Sequence, residues 1–531
     1  MVRSKAMSAN TKKPRPSTSA ARKIPAAKVS AKLPKIGFVS LGCPKNLVDS
    51  EVMMGLLHSS GATITPRAED ADVIVVNTCS FIESAKQESV DTILEMARYK
   101  TEGRAKKLIV AGCLVERYRD EIQAQIPEVD AVVGTDEITK ILEAAGLALP
   151  KKSSAANPLL PILNQGSLSQ KQKSGQPATM PQRAEAAISE KAGRFSRQEW
   201  AGAKAALPTY LYNEKTPRVL ATGSGSAYIK IAEGCDHPCT FCIIPQLRGK
   251  FRSRSIASVV SEARQLASQG VREITLIGQD TTCYGEDLGL KDGLAALLEA
   301  LAGIEELRWI RFLYSYPNKI TTKLLETIAA HGNICSYIDV PLQHASASVL
   351  KRMKRGGGSE AFLRLIARMR RLIPGVTIRT SIIVGFPGET EEEFAELCRF
   401  LEVAEIDWLG AFAYSDEEGT PAYRLPGKLP KKIIEQRRRK LMAIQKKISR
   451  RKRKQMAGQI VEVMLEGPSE QTEMLWEART QAHAPEIDGK LYINDFGEDS
   501  KGRERKRVRA GEFYQAEIVE THDYDLVARL L

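Results

Sequence analysis

Three cysteines within eight residues, Cys235-x-x-x-Cys239-x-x-Cys242, constrain this chain more than any other feature of its sequence. They directly follow an apolar-alternating stretch, Tyr228, Ile229 and Ile231, that reads as a strand, so the thiols occupy a loop at a strand end. Thiolates are soft ligands that select zinc or iron–sulfur clusters. A closed structural zinc site takes four ligands, commonly from two Cys-x2–4-Cys pairs. Here there is no obvious fourth: His237 lies between two of the cysteines, but Pro238 follows it and restricts its backbone. Three thiolates on a four-iron cluster leave one iron open to a substrate. The competing reading is a zinc knuckle or chance clustering.

A second set of cysteines is spread through the first third of the chain. Apolar runs at about 36–41, 62–66, 72–77, 107–111 and 130–133 alternate with helical stretches such as Leu47–Ser59 and Ile82–Tyr99. That alternation predicts a doubly wound parallel sheet covered on both faces. Cys43, Cys79 and Cys113 follow the C-terminal ends of the first, third and fourth strands. In the common order 2-1-3-4-5 those strands are neighbours, so the three thiols meet at the ligand-binding edge of the sheet. One cysteine at a strand end is usually core; three at one edge predict a second cluster site, again with an open iron. Asn46 and Asn77 lie beside these loops, either to contact a ligand or to cap the following helices.

The spacing of Cys235, Cys239 and Cys242 resembles the signature of radical S-adenosylmethionine (SAM) enzymes. In that family the free iron chelates the amine and carboxylate of SAM. Five further apolar strands follow the cysteine loop, within Glu273–Asp280, Trp309–Pro317, Tyr337–His344, Thr377–Glu389 and Trp408–Ser415, with helices between them. Six strand–helix units predict an open, partial (β/α)6 barrel, with its site at the C-terminal strand ends. Those ends are polar, and Gln279 and Gln343 are candidates to line a SAM cavity. Arg379 is a charge inside an apolar strand, so it needs an anionic partner; the SAM carboxylate and a structural ion pair both qualify. Cys283, Cys335 and Cys398 lack cluster spacing and read as packing or surface residues.

Around these parts the organisation is expected as follows. Residues 1–34 form a basic, disordered tail, 35–146 the N-terminal domain, 147–226 a linker or insertion, 227–454 the barrel with a basic C-terminal helix, and 455–531 a small OB-like β-barrel of five short strands. The net charge of +14 is uneven: residues 1–35 carry +10 and residues 431–454 carry +12, leaving −8 for the rest. The whole surface is therefore not that of a nucleic-acid binder, although the two basic segments and Lys501–Arg509 could touch RNA. No run approaches a membrane span and no apolar signal core stands near the start, so a cytoplasmic location is expected. Nine cysteines in such a context suggest metal sites rather than disulfides.

The order of parts resembles the methylthiotransferase family, in which the C-terminal barrel is called a TRAM domain. The resemblance covers about 36–146 and 208–531. It implies two 4Fe–4S clusters, an auxiliary one on Cys43, Cys79 and Cys113 and a radical-SAM one on Cys235, Cys239 and Cys242. It also implies a reaction in which reductive SAM cleavage generates a radical that removes hydrogen from an unactivated carbon, to which a methylated sulfur is delivered. An electron donor and a sulfur donor are implied as partners. Val39–Glu51, Lys230–Arg254, Ala413–Tyr423 and His483–Ile493 are similar to the branch that modifies an aspartate β-carbon in a small-subunit ribosomal protein; the other main branch modifies an adenosine in tRNA. Glu473, Glu477, Glu486 and Asp488 could present an acidic face to a basic ribosomal protein. The alternative from another class is an RNA-binding module with a structural metal.

Overall fold

The computed structural model describes residues 33–148, 207–223, 225–470, 472–497 and 508–531. The predicted basic tail up to residue 32, most of the predicted insertion and most of the Lys501–Arg509 loop lie outside the described residues.

Strands β1 (Lys35–Ser40), β2 (Thr63–Thr65), β3 (Val73–Thr78), β4 (Lys107–Gly112) and β5 (Ala131–Val133) form a parallel sheet in the order β2-β1-β3-β4-β5. This is the predicted doubly wound order. Side chains alternate across the pleat. Val73, Val75 and Ile109 face helices Pro44–Ser59 and Ile141–Ala145, while Ile74, Val76, Leu108 and Val110 face helices Glu83–Ala97 and Cys113–Gln125. Both faces are covered, which is why these strands are apolar throughout.

In the central region, β6 (Ser226–Lys230) leads into a ribbon, β7 (Ala232–Glu233) and β8 (Arg252–Ser253), that brackets the cysteine loop. Strands β9 (Glu273–Ile277) and β10 (Trp309–Phe312) complete one parallel sheet, β10-β9-β6. Strands β11 (Tyr337–Asp339), β12 (Thr377–Val384) and β13 (Trp408–Ala413) form the next, and a bridge between Ile310 and Ile334 connects the two. All six predicted strands are present, curved into a partial barrel.

Strands β14 (Ile460–Ser469), β15 (Thr472–Arg479), β16 (Leu491–Asp495), β17 (Phe513–Thr521) and β18 (Leu526–Leu530) close into a barrel in the order β14-β15-β16-β18-β17. Its interior holds alternate residues such as Leu491, Ile493, Ala516, Ile518, Leu526 and Ala528.

Two segments do structural work that periodicity did not reveal. Residues 207–223, which the sequence assigns to the linker, include a packed strap. Arg218 on it is fully buried, with Nη2 at 2.6 Å from Glu51 Oε2 and Nη1 at 2.7 Å from Glu262 Oε1, so it ties helix Pro44–Ser59 to helix Ile256–Ser268. The strap lies directly on Gly55, where any Cβ would come within 2.3 Å of the Pro217 carbonyl oxygen. The second segment is the β15–β16 connection. Trp408 Nε1 donates to Ala482 O at 2.8 Å, Arg311 Nη1 to Gln481 O at 2.8 Å and the Tyr337 hydroxyl to Asp488 Oδ2 at 2.7 Å. The motif His483–Ile493 thus enters the floor of the partial barrel, at the N-terminal ends of its strands.

This placement removes Asp488 from the expected acidic docking face. Asp488 points inward to Tyr337 and Arg379, and Glu477 is paired with Lys490 at 2.7 Å. Glu486 is exposed, with a left-handed backbone, φ 63°, and the Glu473 side chain lies outside the described residues. Asp488→Ala removes a charged partner from two buried groups. It is expected to lower stability by about 2–3 kcal/mol, visible as a lower denaturant midpoint at unchanged iron content.

Candidate active site

The first three cysteines converge as the sheet order requires. Cys43 and Cys113 start the helices after β1 and β4, and Cys79 follows β3 between them. Gly42 (φ 88°) turns the chain directly against Cys79: a Cβ there would sit 2.7 Å from Cys79 Cβ and 3.0 Å from its Sγ. Burial pushes the Cys79 thiol up to about 12, and the neighbouring Cys113 and Cys43 add to the shift. Burial also raises Cys113.

Asn46 and Asn77 cap no helix. Asn46 Nδ2 donates to Leu41 O at 2.7 Å and to Thr78 O at 3.2 Å, and Asn77 Nδ2 donates to Asn46 O and Ser50 Oγ, both at 2.8 Å. They tie the first two cysteine loops together. Asn77 Oδ1 is buried without a partner.

The second triad occupies the loop after the β6–β7 segment. Burial raises Cys235 to about 11 and Cys242 to about 12. Arg355 Nη1 lies 3.4 Å from Cys239 Sγ and its guanidinium stacks over Tyr316, 4.4 Å from the ring centroid. His237 turns away from ligation: its Nε2 is 2.5 Å from Asp280 Oδ2, and its ring stacks on Tyr316 at 3.9 Å. Cys283, read as incidental, donates to Asp280 Oδ2 at 3.0 Å, while Cys335 and Cys398 are buried.

The chemistry of the donors distinguishes a cluster from a single ion. Zn–S bonds of about 2.3 Å place thiolates about 3.8 Å apart around one ion. Neither triad draws its three sulfurs within 4.8 Å of one another; among the described residues only His237, Asp280 and Cys283 reach that spacing. A polynuclear cation spans more than one ion does, and its charge would deprotonate the thiols and offset the repulsion between the resulting thiolates.

Both triads belong to one interface. Cys113 packs against Ile243 and Leu247, which follow Cys242. Arg248, just beyond, donates to Cys113 Sγ at 3.3 Å and Asn46 Oδ1 at 3.1 Å, and is held by Asp49 at 2.5 Å and Glu233 at 3.4 Å. Lys45 reaches from the first cysteine loop to the Tyr314 ring, 3.3 Å from its centroid, and to Gly278 O at 3.5 Å. Burial works to lower the Lys45 pKa, but Tyr314 and Cys43 outweigh it and the ammonium is stabilised. Arg117 binds Glu417 beyond β13 at 2.9 Å. The N-terminal sheet therefore meets the C-terminal strand ends of the partial barrel, and both cysteine sites share that mouth.

Of the residues expected to contact SAM, Gln279 reaches Glu233 through Nε2 and leaves Oε1 buried without a partner. Gln343 adopts a left-handed backbone, φ 70°, with its amide bonded to Ser381 O at 2.8 Å. Arg379 lies near the floor, 2.8 Å from Asp339 and 3.5 Å from Asp488; of its two expected partners, this is the ion pair. Sequence reasoning missed Lys45, Asp49, Glu233 and Arg248, because charged residues normally read as solvent-facing. The available signal was three charges, Lys45, Asp49 and Glu51, in the helix that opens directly on Cys43.

Comparison with known proteins agrees with this architecture. Residues 35–134 match the uncharacterized protein family UPF0004, residues 229–401 the radical SAM superfamily and residues 457–531 the TRAM domain. The chain is 66% identical to the ribosomal protein uS12 methylthiotransferase RimO of Koribacter versatilis, over 94% of this chain and 96% of that one. It is 55% identical to the protein of the same name from Solibacter usitatus, over 94% and 95%. Among solved structures, the radical SAM methyltransferase TsrM from Kitasatospora setae aligns with a TM-score of 0.48 and 14% identity, covering 78% of this chain and 89% of that one. The matches define a radical SAM enzyme, a SAM-dependent transferase that uses an iron–sulfur cluster, with a UPF0004 domain before it and a TRAM domain after it. The chain belongs to the RimO family of methylthiotransferases.

Proposed function

We propose that this enzyme transfers a methylthio group to the β-carbon of an aspartate in ribosomal protein uS12, using two 4Fe–4S clusters, one on Cys43, Cys79 and Cys113 and one on Cys235, Cys239 and Cys242. The observation that carries the two-cluster reading is the convergence of two three-cysteine sets, neither drawn to single-ion spacing, on one interface. The relatives' names support the substrate. When bound, the clusters and SAM would supply reductive radical generation and a place to hold the transferred sulfur, chemistry that acid–base side chains cannot provide.

The protein's own residues have separate tasks. Arg355 and Arg248 each direct an N–H at one ligand sulfur, which stabilises a thiolate. Lys45 and the Arg248 knot hold the auxiliary loops against the barrel mouth. Gln279, with an unpartnered buried oxygen, and Gln343 serve as SAM contacts, while Arg379 stays in its ion pair with the floor. The functional division follows residues 35–146, 227–454 and 455–531. An electron donor and a sulfur donor complete the system in the cytoplasm; among the described residues no helix is long and apolar enough to cross a membrane.

The test offers uS12 and tRNA side by side to the anaerobically reconstituted enzyme and locates the new group by mass spectrometry. A methylthio group on a uS12 aspartate is expected. A methylthioadenosine with unmodified uS12 would replace this substrate and leave the radical chemistry standing.

A further inference from the structure

The helix Lys431–Lys454 separates its charge from its packing. Ile434, Arg437, Leu441, Gln445 and Ile448 are buried, at the helical spacing that lines one face. The opposite face exposes Lys432, Arg439, Lys440, Lys447, Arg450 and Lys454, a stripe about 33 Å long at 1.5 Å rise per residue. Nearby acids answer only some of the cations: Asp523 takes Lys446 and Arg450, Glu405 takes Arg451, and Asp407 takes Lys452. Among the described residues Lys432, Arg439, Lys440, Lys447 and Lys454 form no ion pair; the Lys440 ammonium lies 5.4 Å from the Phe394 ring centroid.

Only part of this charge serves the helix: Arg451, Lys452, Arg453 and Lys454 suit its C-terminal turn. Its first turn holds two lysines and no acid, the wrong sign for a helix N-terminus. Lys446 and Arg450, Lys447 and Arg451, and Arg450 and Lys454 are like charges four residues apart, an arrangement that destabilises a helix. A fixed row of cations whose self-repulsion a polyanion would relieve is the electrostatic footprint of a phosphate backbone.

We infer that the exposed face of this helix docks on the RNA backbone of the small ribosomal subunit, so that the enzyme acts on uS12 presented within an RNA-bearing particle. The inference rests on the proposed uS12 substrate and adds the partner that presents it. Contacts of this kind position without reading sequence.

The test uses the full chain and a quadruple variant, Lys432→Gln with Arg439→Gln, Lys447→Gln and Lys454→Gln, all exposed and none of them in the cysteine loops. Binding to purified small subunits is measured across a salt series, with anionic phospholipid vesicles as a second probe. Methylthiolation is followed on subunits and on free uS12. The variant is expected to bind subunits at least tenfold more weakly, with a log–log salt slope shallower by about three, and to modify subunits correspondingly more slowly at limiting enzyme. Its rate on free uS12 should match the parent's. Unchanged affinity and salt slope would overturn the inference, as would parent binding to vesicles at the same strength as to subunits. If the parent leaves uS12 unmodified both free and in subunits, the substrate reading fails, and the binding comparison still decides whether this face docks on RNA.

Discussion

Cys79→Ala is expected to abolish methylthio transfer while SAM cleavage continues, whereas Cys239→Ala abolishes both. The two triads are carried by separate elements, so one can be broken without the other. Cys79 follows the strand between those that deliver Cys43 and Cys113, and the Gly42 turn is packed against its side chain. On the proposed cluster, its loss would leave two ligands of three and open a gap at the sheet edge. Cys235, Cys239 and Cys242 depend instead on the loop bracketed by the β7–β8 ribbon, which Cys79→Ala does not touch. The measurement is product and cleaved SAM in the same reaction. Retained product in Cys79→Ala would remove the first triad from the chemistry.

Arg218→Ala is expected to cost about 3–5 kcal/mol, the loss seen when one partner of a buried ion pair is deleted. Arg218 lies between two buried carboxylates, Glu51 at 2.6 Å and Glu262 at 2.7 Å. Arg254 also pairs with Glu262, so Glu51 is the group left uncompensated. Glu51 belongs to the helix that begins at Cys43, and Glu262 to the barrel. The variant should therefore loosen the N-terminal sheet from the barrel and reduce transfer more than SAM cleavage. Arg218→Lys should recover only part of the loss, since an ammonium cannot bridge both carboxylates as the planar guanidinium does. A thermal or denaturant midpoint within error of the parent would show that the strap is not a fastening.

What could be read from sequence was whatever depends on local pattern. The strands of all three parts were legible because sheets covered on both faces demand continuous apolar runs, and small barrels demand alternation. The cysteines were legible because spacing and strand ends together locate them. The fastenings were not. Arg218 and Glu51 are 167 residues apart, and Arg248 and Asn46 are 202 apart; neither partner predicts the other. Burial of Lys45, Asp49 and Glu51 reverses the usual reading of charged helix positions, and it occurs because each finds an opposite charge or a ring on another domain. The motif His483–Ile493 was recognisable as a motif, but its place in the barrel floor depends on Tyr337, Arg379 and Trp408, which come from distant strands.

The central claim is that two three-thiolate sites each hold a four-iron cluster at one shared mouth. Mössbauer spectroscopy of the anaerobically reconstituted full chain, with total iron and zinc measured on the same sample, tests it most directly. The expected result is about eight irons per chain in two cubane signals, each with one iron that lacks a cysteine ligand, and a fall to about four irons in either Cys79→Ala or Cys239→Ala. About four irons in the parent, or stoichiometric zinc at either triad, would contradict it.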